Sequence, residues 1–297
     1  MKDVEGKVAF VTGGASGLGL AMTRSFTRAG MKVVVADVED SALAAVNEEF
    51  AESNAAVLTM KVDVTDRDAM EQAAVQALDA FGKVHVVCNN AGVAVGGNVA
   101  DMGYSDWDWV MKVNLDGVVN GIVSFVNRIR EQGEGGHIVN TASMAGQLGI
   151  GGMSVYNTTK FGVVGMSEAM RHDLAEYNIG VSVLCPGFVA TNIFTSQRNR
   201  PGEFGGPSEE AALGSGDFAL GQAAGGDRNT EEMERLQAMM SNILDPAVIG
   251  DMVLHAVQND VFYILSHPEF KEAIGNRGNE LAETADYWAA YRSEHGV

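Results

Sequence analysis

The residues with the clearest capacity for chemistry lie in the stretch SMAGQLGIGGMSVYNTTK, at positions 143–160. Tyr156 and Lys160 are four residues apart, so a helix that begins near Tyr156 presents both side chains on one face. A cation beside a phenol favours the phenolate, so we expect Lys160 to lower the pKa of Tyr156 from a usual value near ~10. Tyr156 could then act as a general acid or base, while the Ser143 hydroxyl binds the substrate oxygen.

A glycine-rich turn near the N-terminus indicates a phosphate-binding loop. The apolar run KVAFVT at 7–12 is typical of a buried parallel strand; GGASGLG follows at 13–19, and a helical pattern then continues to Arg28. Glycines in such a turn let the backbone and the helix N-terminus approach a pyrophosphate closely. The spacing is TGxxxGxG rather than GxGxxG.

An acidic residue ends the second predicted strand, MKVVVA at 31–36. In a dinucleotide site, an acid at this position accepts hydrogen bonds from the adenosine ribose, and its charge repels a 2′-phosphate. No arginine or lysine stands at 14–16 or 38–40 to offset the charge of Asp37. The sequence therefore predicts NAD rather than NADP as the cofactor.

Strand and helix patterns alternate along most of the chain. The pattern predicts further strands at 57–62, 84–88, 137–141, 180–185 and 261–265, and helices that include 41–52, 106–130 and 155–177. This alternation predicts one α/β Rossmann-type domain over 1–297: a doubly wound parallel sheet of about seven strands with helices on both faces. Gly13, Asp37, Asp63 and Asn90 all follow strands, so they should meet at the carboxyl edge of the sheet, where such folds bind ligands.

Composition excludes several classes of partner. The formal net charge of −19 argues against nucleic acid and anionic membrane surfaces. No apolar run is long enough to span a bilayer, and the N-terminus leads directly into a strand pattern, so we expect a cytoplasmic protein. The six histidines lack the spacing of metal ligands, so no metal site is predicted.

Taken in order, TGxxxGxG, NNAG, a helix asparagine, Ser…YxxxK and PG resemble the short-chain dehydrogenase/reductase family over residues 5–192. The resemblance implies a catalytic tetrad of Asn114, Ser143, Tyr156 and Lys160, in which Asn114 anchors a water in a proton relay. Ala142 stands where many members of the family have a second serine. The cofactor contacts that the motifs and the resemblance imply, besides Tyr156 and Lys160, are Gly13, Ser16, Gly17, Leu18, Gly19, Asp37, Asp63, Val64, Asn90, Ala91, Gly92, Pro186, Gly187, Val189 and Thr191.

The implied reaction interconverts a secondary alcohol and a ketone, with Tyr156 as general acid/base and NAD as hydride acceptor. Two alternatives remain open at this point. The protein could be an epimerase or dehydratase that retains its NAD, or a dinucleotide-binding sensor without turnover; net NADH production separates all three. The resemblance also implies a homodimer or homotetramer, formed through the helices at 106–130 and 155–177, which carry apolar residues on more than one face.

Residues 193–245 interrupt the regular pattern and are predicted to form a substrate lid. The stretch at 199–226 is rich in glycine, and the stretch at 230–243 indicates a helix with a methionine stripe, which suits varied apolar ligands. A helical tail is predicted at 268–297.

The residues expected to contact the substrate carry no basic group, which predicts a neutral, rather apolar secondary alcohol or ketone. They are Ser143, Met144, Gln147, Met153, Phe188 and Phe194. The segments VNLDGVVNGIVSFV and FYILSHPEF are also similar to the Cα-dehydrogenases of lignin aryl ethers.

Overall fold

The computed structural model of the protein describes residues 1–207 and 242–297. The chain divides into two compact units, Met1–Ser266 and His267–Val297. The first unit contains the whole sheet. The predicted helix at 230–243, and most of the stretch at 199–226, lie outside the described residues.

A seven-stranded sheet forms the centre of the first unit, in the order β3-β2-β1-β4-β5-β6-β7, and all its strand pairs are parallel. This confirms the predicted doubly wound fold. The chain order reverses between β1 and β4, which is where such sheets open a crevice for ligands. The strands are β1 Val8–Thr12, β2 Lys32–Asp37, β3 Val57–Lys61, β4 Val86–Asn89, β5 Gly136–Thr141, β6 Ile179–Cys185 and β7 Tyr263–Leu265.

Helices connect the strands and cover both faces of the sheet. Several begin where the sequence provides a cap: the Asp66 carboxylate accepts hydrogen bonds from two backbone amides of the first turn of α3, and Asp245 caps α7 ahead of Pro246. The helices of this unit that the structure describes are α1 Gly17–Arg28, α2 Asp40–Phe50, α3 Arg67–Phe81, α4 Tyr104–Met111, α5 Gly117–Gln132, α6 Ser154–Asp173 and α7 Pro246–Asn259.

Alternation along the strands divides the core between the two faces. Ala9 and Val11 point to a cluster that includes residues of α1, α2 and α7. Val8 and Phe10 point to the opposite cluster, which includes residues of α3, α5 and α6. Because both faces of the central strands are covered, these strands are buried and mostly apolar, as is typical of parallel sheets.

The long helix predicted at 106–130 is interrupted. Between α4 and α5 the chain forms a π-helical turn at Lys112–Asp116, which contains Asn114. The side chain of Asn114 is completely buried and bonds to the backbone of Val93. Single π turns inside α-helices are frequent at functional sites, and hydrophobic periodicity does not reveal them. Likewise, the helix predicted at 155–177 ends at Asp173, and a separate 3-10 turn follows at Ala175–Tyr177.

The second unit consists of a 3-10 turn at Pro268–Phe270 and the helix α8, Lys271–His295. No residue of α8 is buried. Within residues 1–207 and 242–297, none of the helices combines the length and the apolar character that a membrane span needs.

Close packing of α1 on α7 generates a stability prediction. A Cβ placed at Gly250 would lie 2.4 Å from the carbonyl oxygen of Ala21, so Gly250→Ala must push the two helices apart. We expect the free energy of unfolding to fall by roughly 1–3 kcal/mol, measured by urea denaturation. Gly165 lies exposed on α6 with no atom near its Cβ position, so Gly165→Ala should be neutral or stabilising. Equal stability of the two variants would contradict this account of the helix pair.

Candidate active site

A cavity of about 280 Å³ lies along the carboxyl edge of the sheet. Its walls follow the ends of successive strands, from Gly13 after β1 to Pro186 after β6. The predicted site residues that line this cavity are Gly13, Ser16, Gly17, Leu18, Asp37, Asp63, Val64, Asn90, Ala91, Gly92, Ser143, Tyr156, Lys160, Pro186, Gly187, Val189, Thr191 and Phe194. The parallel sheet therefore brings together side chains that are up to 181 positions apart, the difference between 194 and 13.

The glycine-rich turn has the shape of a phosphate cradle. Gly13 and Gly17 both have positive φ, and a Cβ at Gly13 would lie 2.9 Å from the Cα of Ala91. A Cβ at Gly17 would lie 3.3 Å from the side chain of Thr191, so a side chain there would intrude on the cavity wall. Ser16 precedes α1 without a side-chain cap, which leaves the first-turn amides of the helix directed at the cavity as an anion site.

Asp37 is buried at the end of β2, and its carboxylate is hydrogen-bonded to the glycine-rich turn. Its carboxylate accepts hydrogen bonds from the backbone N–H of Ala15 at 3.1 Å and from the N–H of Glu39 at 3.1 Å. Both bonds hold the carboxylate in place at the cavity wall. A carboxylate held in place beside the glycine-rich loop fits the adenosine half of a dinucleotide.

A side-chain network ties the ends of β1, β4 and β5 together. The hydroxyl oxygen of Thr12 accepts hydrogen bonds from the backbone N–H groups of Asn90 at 2.9 Å and Ala91 at 3.1 Å. The Asn90 amide donates to the carbonyl oxygen of Thr12, and Thr141 donates to Asn90. The central walls of the cavity are therefore cross-linked by polar contacts between strand ends.

Tyr156 and Lys160 both project from the first turns of α6. The Lys160 ammonium donates to the carbonyl oxygen of Thr141 at 2.8 Å, and its nitrogen lies 5.5 Å from the centroid of the Tyr156 ring. Ser143 forms a hydrogen bond with Tyr156, and its oxygen also accepts from the backbone N–H of Ala145. The predicted serine, tyrosine and lysine thus converge at one point of the cavity.

The expected sign of the pKa shift at Tyr156 is wrong. Burial raises the pKa of the Tyr156 phenol to about 12, and the hydrogen bond with Ser143 only partly opposes that effect. Burial also lowers the pKa of Lys160 to about 8. Withdrawal from water disfavours the charged form of both groups, and a pattern of sequence spacing does not show how deeply either is buried.

Two asparagines hold the loops around these groups. The side-chain oxygen of Asn114 accepts from the Val93 backbone N–H at 2.8 Å, and its nitrogen donates to the Val93 carbonyl at 2.9 Å. Asn114 does not line the cavity itself, and its implied part in a water relay stays a prediction. Asn157, which the sequence reading passed over, donates to the carbonyls of Ala145 and Leu148 and so fixes the loop that carries Ser143.

Several residues predicted to contact ligands do not line the cavity. A Cβ at Gly19 would collide with the carbonyl oxygen of Gly13, so its role is close packing inside the loop. Met144 is buried in the protein, and the Gln147 amide lies 3.6 Å from the sulfur of Cys185. The others are Met153, which precedes α6 as its N-cap, and Phe188, whose carbonyl accepts from the N–H of Leu244.

Instead, an apolar wall comes from α4 and from the segment after Thr191. Trp109 and Phe204 pack with Val155, the neighbour of Tyr156, and both line the cavity. Arg200 fixes this wall: it is buried, pairs with Asp106 at 2.7 Å and lies 5.4 Å from the Trp109 ring centroid. No periodic pattern in the sequence marks these residues as cavity wall.

Charged side chains that the sequence analysis did not predict also line the cavity. Glu203 lies near the apolar wall, and Arg198 lies at the opposite end, paired with Glu39. Arg198 is far in sequence from Asp37, so inspection of the neighbouring positions could not find it. Among the residues that the structure describes, no cluster of histidine, cysteine and acidic side chains could hold a metal ion.

The chain is similar to several known proteins. The model of the short chain dehydrogenase family matches residues 7–202. A C alpha-dehydrogenase of a Sphingobium strain is 33% identical over 92% of this chain and 85% of the relative. A CLA biosynthesis dehydrogenase/reductase of Lactiplantibacillus plantarum is 32% identical over 93% of each chain.

A solved structure gives the corresponding fold comparison. A short-chain dehydrogenase/reductase from Burkholderia phymatum, crystallised in complex with NAD, superposes with a TM-score of 0.83. It is 34% identical and covers 96% of this chain and 97% of its own.

The burial of Lys160 generates a pH-dependent stability prediction. Between its pKa of about 8 in the folded protein and the ordinary value of 10.5, the unfolded chain binds more protons, so this lysine makes stability rise with pH. Above pH ~10, Tyr156 opposes the trend, because the unfolded phenol ionises first. We expect the unfolding free energy of the wild type, relative to Lys160→Met, to increase between pH 8 and 10 in urea titrations.

Lys112→Met, at an exposed position in the π turn, is the matched control for that measurement. It should follow the wild type across the same pH range. A difference between wild type and Lys160→Met that stays constant with pH would show that Lys160 is not held in a dehydrated position.

Proposed function

The chain belongs to the short-chain dehydrogenase family, and from that premise we propose that it is an NAD-dependent oxidoreductase acting on secondary alcohols and ketones. The observation that carries the proposal is the convergence of Ser143, Tyr156 and Lys160 on a cavity that also holds the glycine loop and Asp37. One end of this cavity suits the adenosine half of a dinucleotide, and the other presents a proton donor beside an apolar wall. The NAD complex of the Burkholderia phymatum relative supports the same choice of cofactor.

The residues present fit a dinucleotide along the cavity. The Gly13–Gly19 loop would hold the pyrophosphate, Asp37 the adenosine ribose, and Asp63 with Val64 the adenine edge. Asn90 to Gly92, Lys160 and the Pro186–Thr191 segment would hold the nicotinamide half. NAD, when bound, supplies a hydride acceptor and, in its oxidised form, a positive charge that favours the phenolate of a nearby tyrosine.

Residues of the protein itself then transfer the proton to or from the substrate oxygen. In ketone reduction Tyr156, protonated at neutral pH with a pKa of about 12, donates its proton to the substrate oxygen. In alcohol oxidation the phenolate form of Tyr156 accepts the proton of the alcohol. Ser143 holds the oxygen beside the phenol, and both hydroxyl groups stabilise negative charge that develops there. Lys160 keeps a cation near the phenol and is itself positioned by the Thr141 carbonyl.

We propose a neutral, rather apolar substrate, because Trp109, Phe204 and Phe194 supply the wall and Glu203 would repel an anion. The name of the Sphingobium relative, a C alpha-dehydrogenase, supports an alcohol carbon next to an aromatic ring as the first class of substrate to test.

The path of the segment at 193–245 supports its proposed role as a substrate lid. The segment begins beside the cavity, and at its other end Leu244 forms backbone hydrogen bonds with Phe188 and Ala190. Residues 208–241 lie outside the described part of that segment.

A homodimer or homotetramer remains part of the proposal. Val119 and Val123 are exposed on α5, the second of them 69% exposed. Apolar side chains on a helix face that is otherwise in contact with water support burial of that face against another copy.

The test of this function is the change Tyr156→Phe. We expect the variant to fold and to bind NAD but to lose at least ~10²-fold in turnover, because the proton carrier is removed. NADH formation from methyl phenyl carbinol, followed by absorbance, measures the rate. Tyr177→Phe makes the same change on a tyrosine that does not line the cavity and should leave the rate unchanged.

The same assay separates the alternatives and the substrate class. Net NADH formation excludes both a sensor without turnover and an enzyme that retains its cofactor unchanged. Mandelate differs from methyl phenyl carbinol by a carboxylate in place of the methyl group and should be the poorer substrate. Near-normal turnover by Tyr156→Phe would remove Tyr156 from the mechanism.

A further inference from the structure

An ion pair crosses the cavity at its adenosine end. Glu39 follows Asp37 by two residues, and Arg198 belongs to the 3-10 segment Asn192–Asn199. The Arg198 guanidinium donates to both carboxylate oxygens of Glu39, at 2.5 and 3.4 Å, and Asn199 donates to the same carboxylate at 2.7 Å. All three residues line the cavity.

The segment that carries Arg198 is anchored firmly on the side of the apolar wall. Ser196 is buried, and its hydroxyl bonds both the N–H and the carbonyl of Ala94. Arg200 is buried in its pair with Asp106. On the adenosine side, the described hydrogen bonds of this segment are those that reach Glu39. We call residues 192–200 the strap. Buried contacts fix the strap on the side of the apolar wall, and its ion pair with Glu39 holds it on the adenosine side.

Most of the N–H donors of the Arg198 guanidinium are engaged by its present partners. Its Nη1 donates to the carbonyls of Asn192 and Thr195 and to the Thr195 hydroxyl, while Nε and Nη2 face Glu39. Burial would raise the pKa of Glu39, but the hydrogen bonds from Arg198 and Asn199 outweigh that effect and lower it. Glu39 thus stays ionised and keeps Arg198 occupied, while Asp37 adds a second carboxylate at the same end.

We propose that Glu39 and Arg198 form a latch across the cofactor cleft, which slows the release of NAD and withholds Arg198 from a 2′-phosphate. This inference rests on the proposed NAD site and goes beyond it. In the closed latch, a 2′-phosphate meets two carboxylates and an arginine that is already paired with one of them. Release of a bound dinucleotide requires the strap to leave Glu39, so the ion pair adds to the barrier for dissociation.

The latch makes different predictions for its two halves. Glu39→Gln opens the latch and also frees Arg198, whereas Arg198→Gln opens the latch and leaves Glu39 as an uncompensated carboxylate. We expect both variants to release NADH roughly threefold or more faster than the wild type, on the scale of a partly exposed ion pair. We expect only Glu39→Gln to bind NADPH more tightly, by roughly tenfold, the effect of one charge-assisted contact.

The experiment uses the full chain without any alcohol. Stopped-flow displacement of NADH, followed by its fluorescence, gives the dissociation rate, and equilibrium titration gives Kd for NADH and NADPH. The control is the pair Arg24 and Glu49, which has two contacts of 2.7 Å between α1 and α2 but does not line the cavity. Glu49→Gln and Arg24→Gln should leave every one of these values as in the wild type.

A charge exchange provides the decisive variant. Glu39→Arg combined with Arg198→Glu restores an ion pair and should release NADH more slowly than Glu39→Arg alone. Release rates of Glu39→Gln and Arg198→Gln that match the controls overturn the latch, as does an equal gain in NADPH affinity in both. A wild-type protein that binds no dinucleotide overturns the proposed function and the latch together, whereas normal NADH binding with unchanged release overturns only the latch.

Discussion

Thr141, the last residue of β5, makes the two contacts on which the rest of the site depends. Its carbonyl oxygen accepts the hydrogen bond of the Lys160 ammonium, and its hydroxyl donates to Asn90 at the end of β4. Asn90 in turn bonds the first residues of the glycine loop. One strand end therefore joins helix α6 to the glycine loop. A parallel sheet makes this possible, because all its strands end at the same edge with carbonyl groups to satisfy.

Burial of the ionisable groups at that edge of the sheet determines their pKa values. Desolvation makes the phenol of Tyr156 harder to ionise and the ammonium of Lys160 easier to neutralise. A tyrosine in this state is protonated at neutral pH, and it becomes a base only when more positive charge arrives nearby. The protein thus has a site whose acid/base character depends on what occupies the cavity, while Ser143 and the asparagine contacts keep the geometry constant.

Local sequence patterns predict those structural features that depend on residues close together in the chain. The strands, the glycine loop with its positive φ values, Asp37 at a strand end and the four-residue spacing of Tyr156 and Lys160 follow from short-range rules. The cavity wall does not, because Trp109 and Phe204 are brought together by the buried Arg200–Asp106 pair, a contact between distant segments. The same holds for Arg198 beside Glu39, and for the pKa of Tyr156, whose sign depends on burial.

We propose that the cavity is a dinucleotide site with its nicotinamide end at Tyr156. A crystal structure of the protein grown with NAD tests it most directly. The account predicts the adenosine ribose within hydrogen-bond distance of Asp37, the pyrophosphate on the glycine loop and the nicotinamide ring facing the Tyr156 hydroxyl. NAD bound in the reverse direction, or bound with its nicotinamide away from Tyr156 and Ser143, would contradict the account.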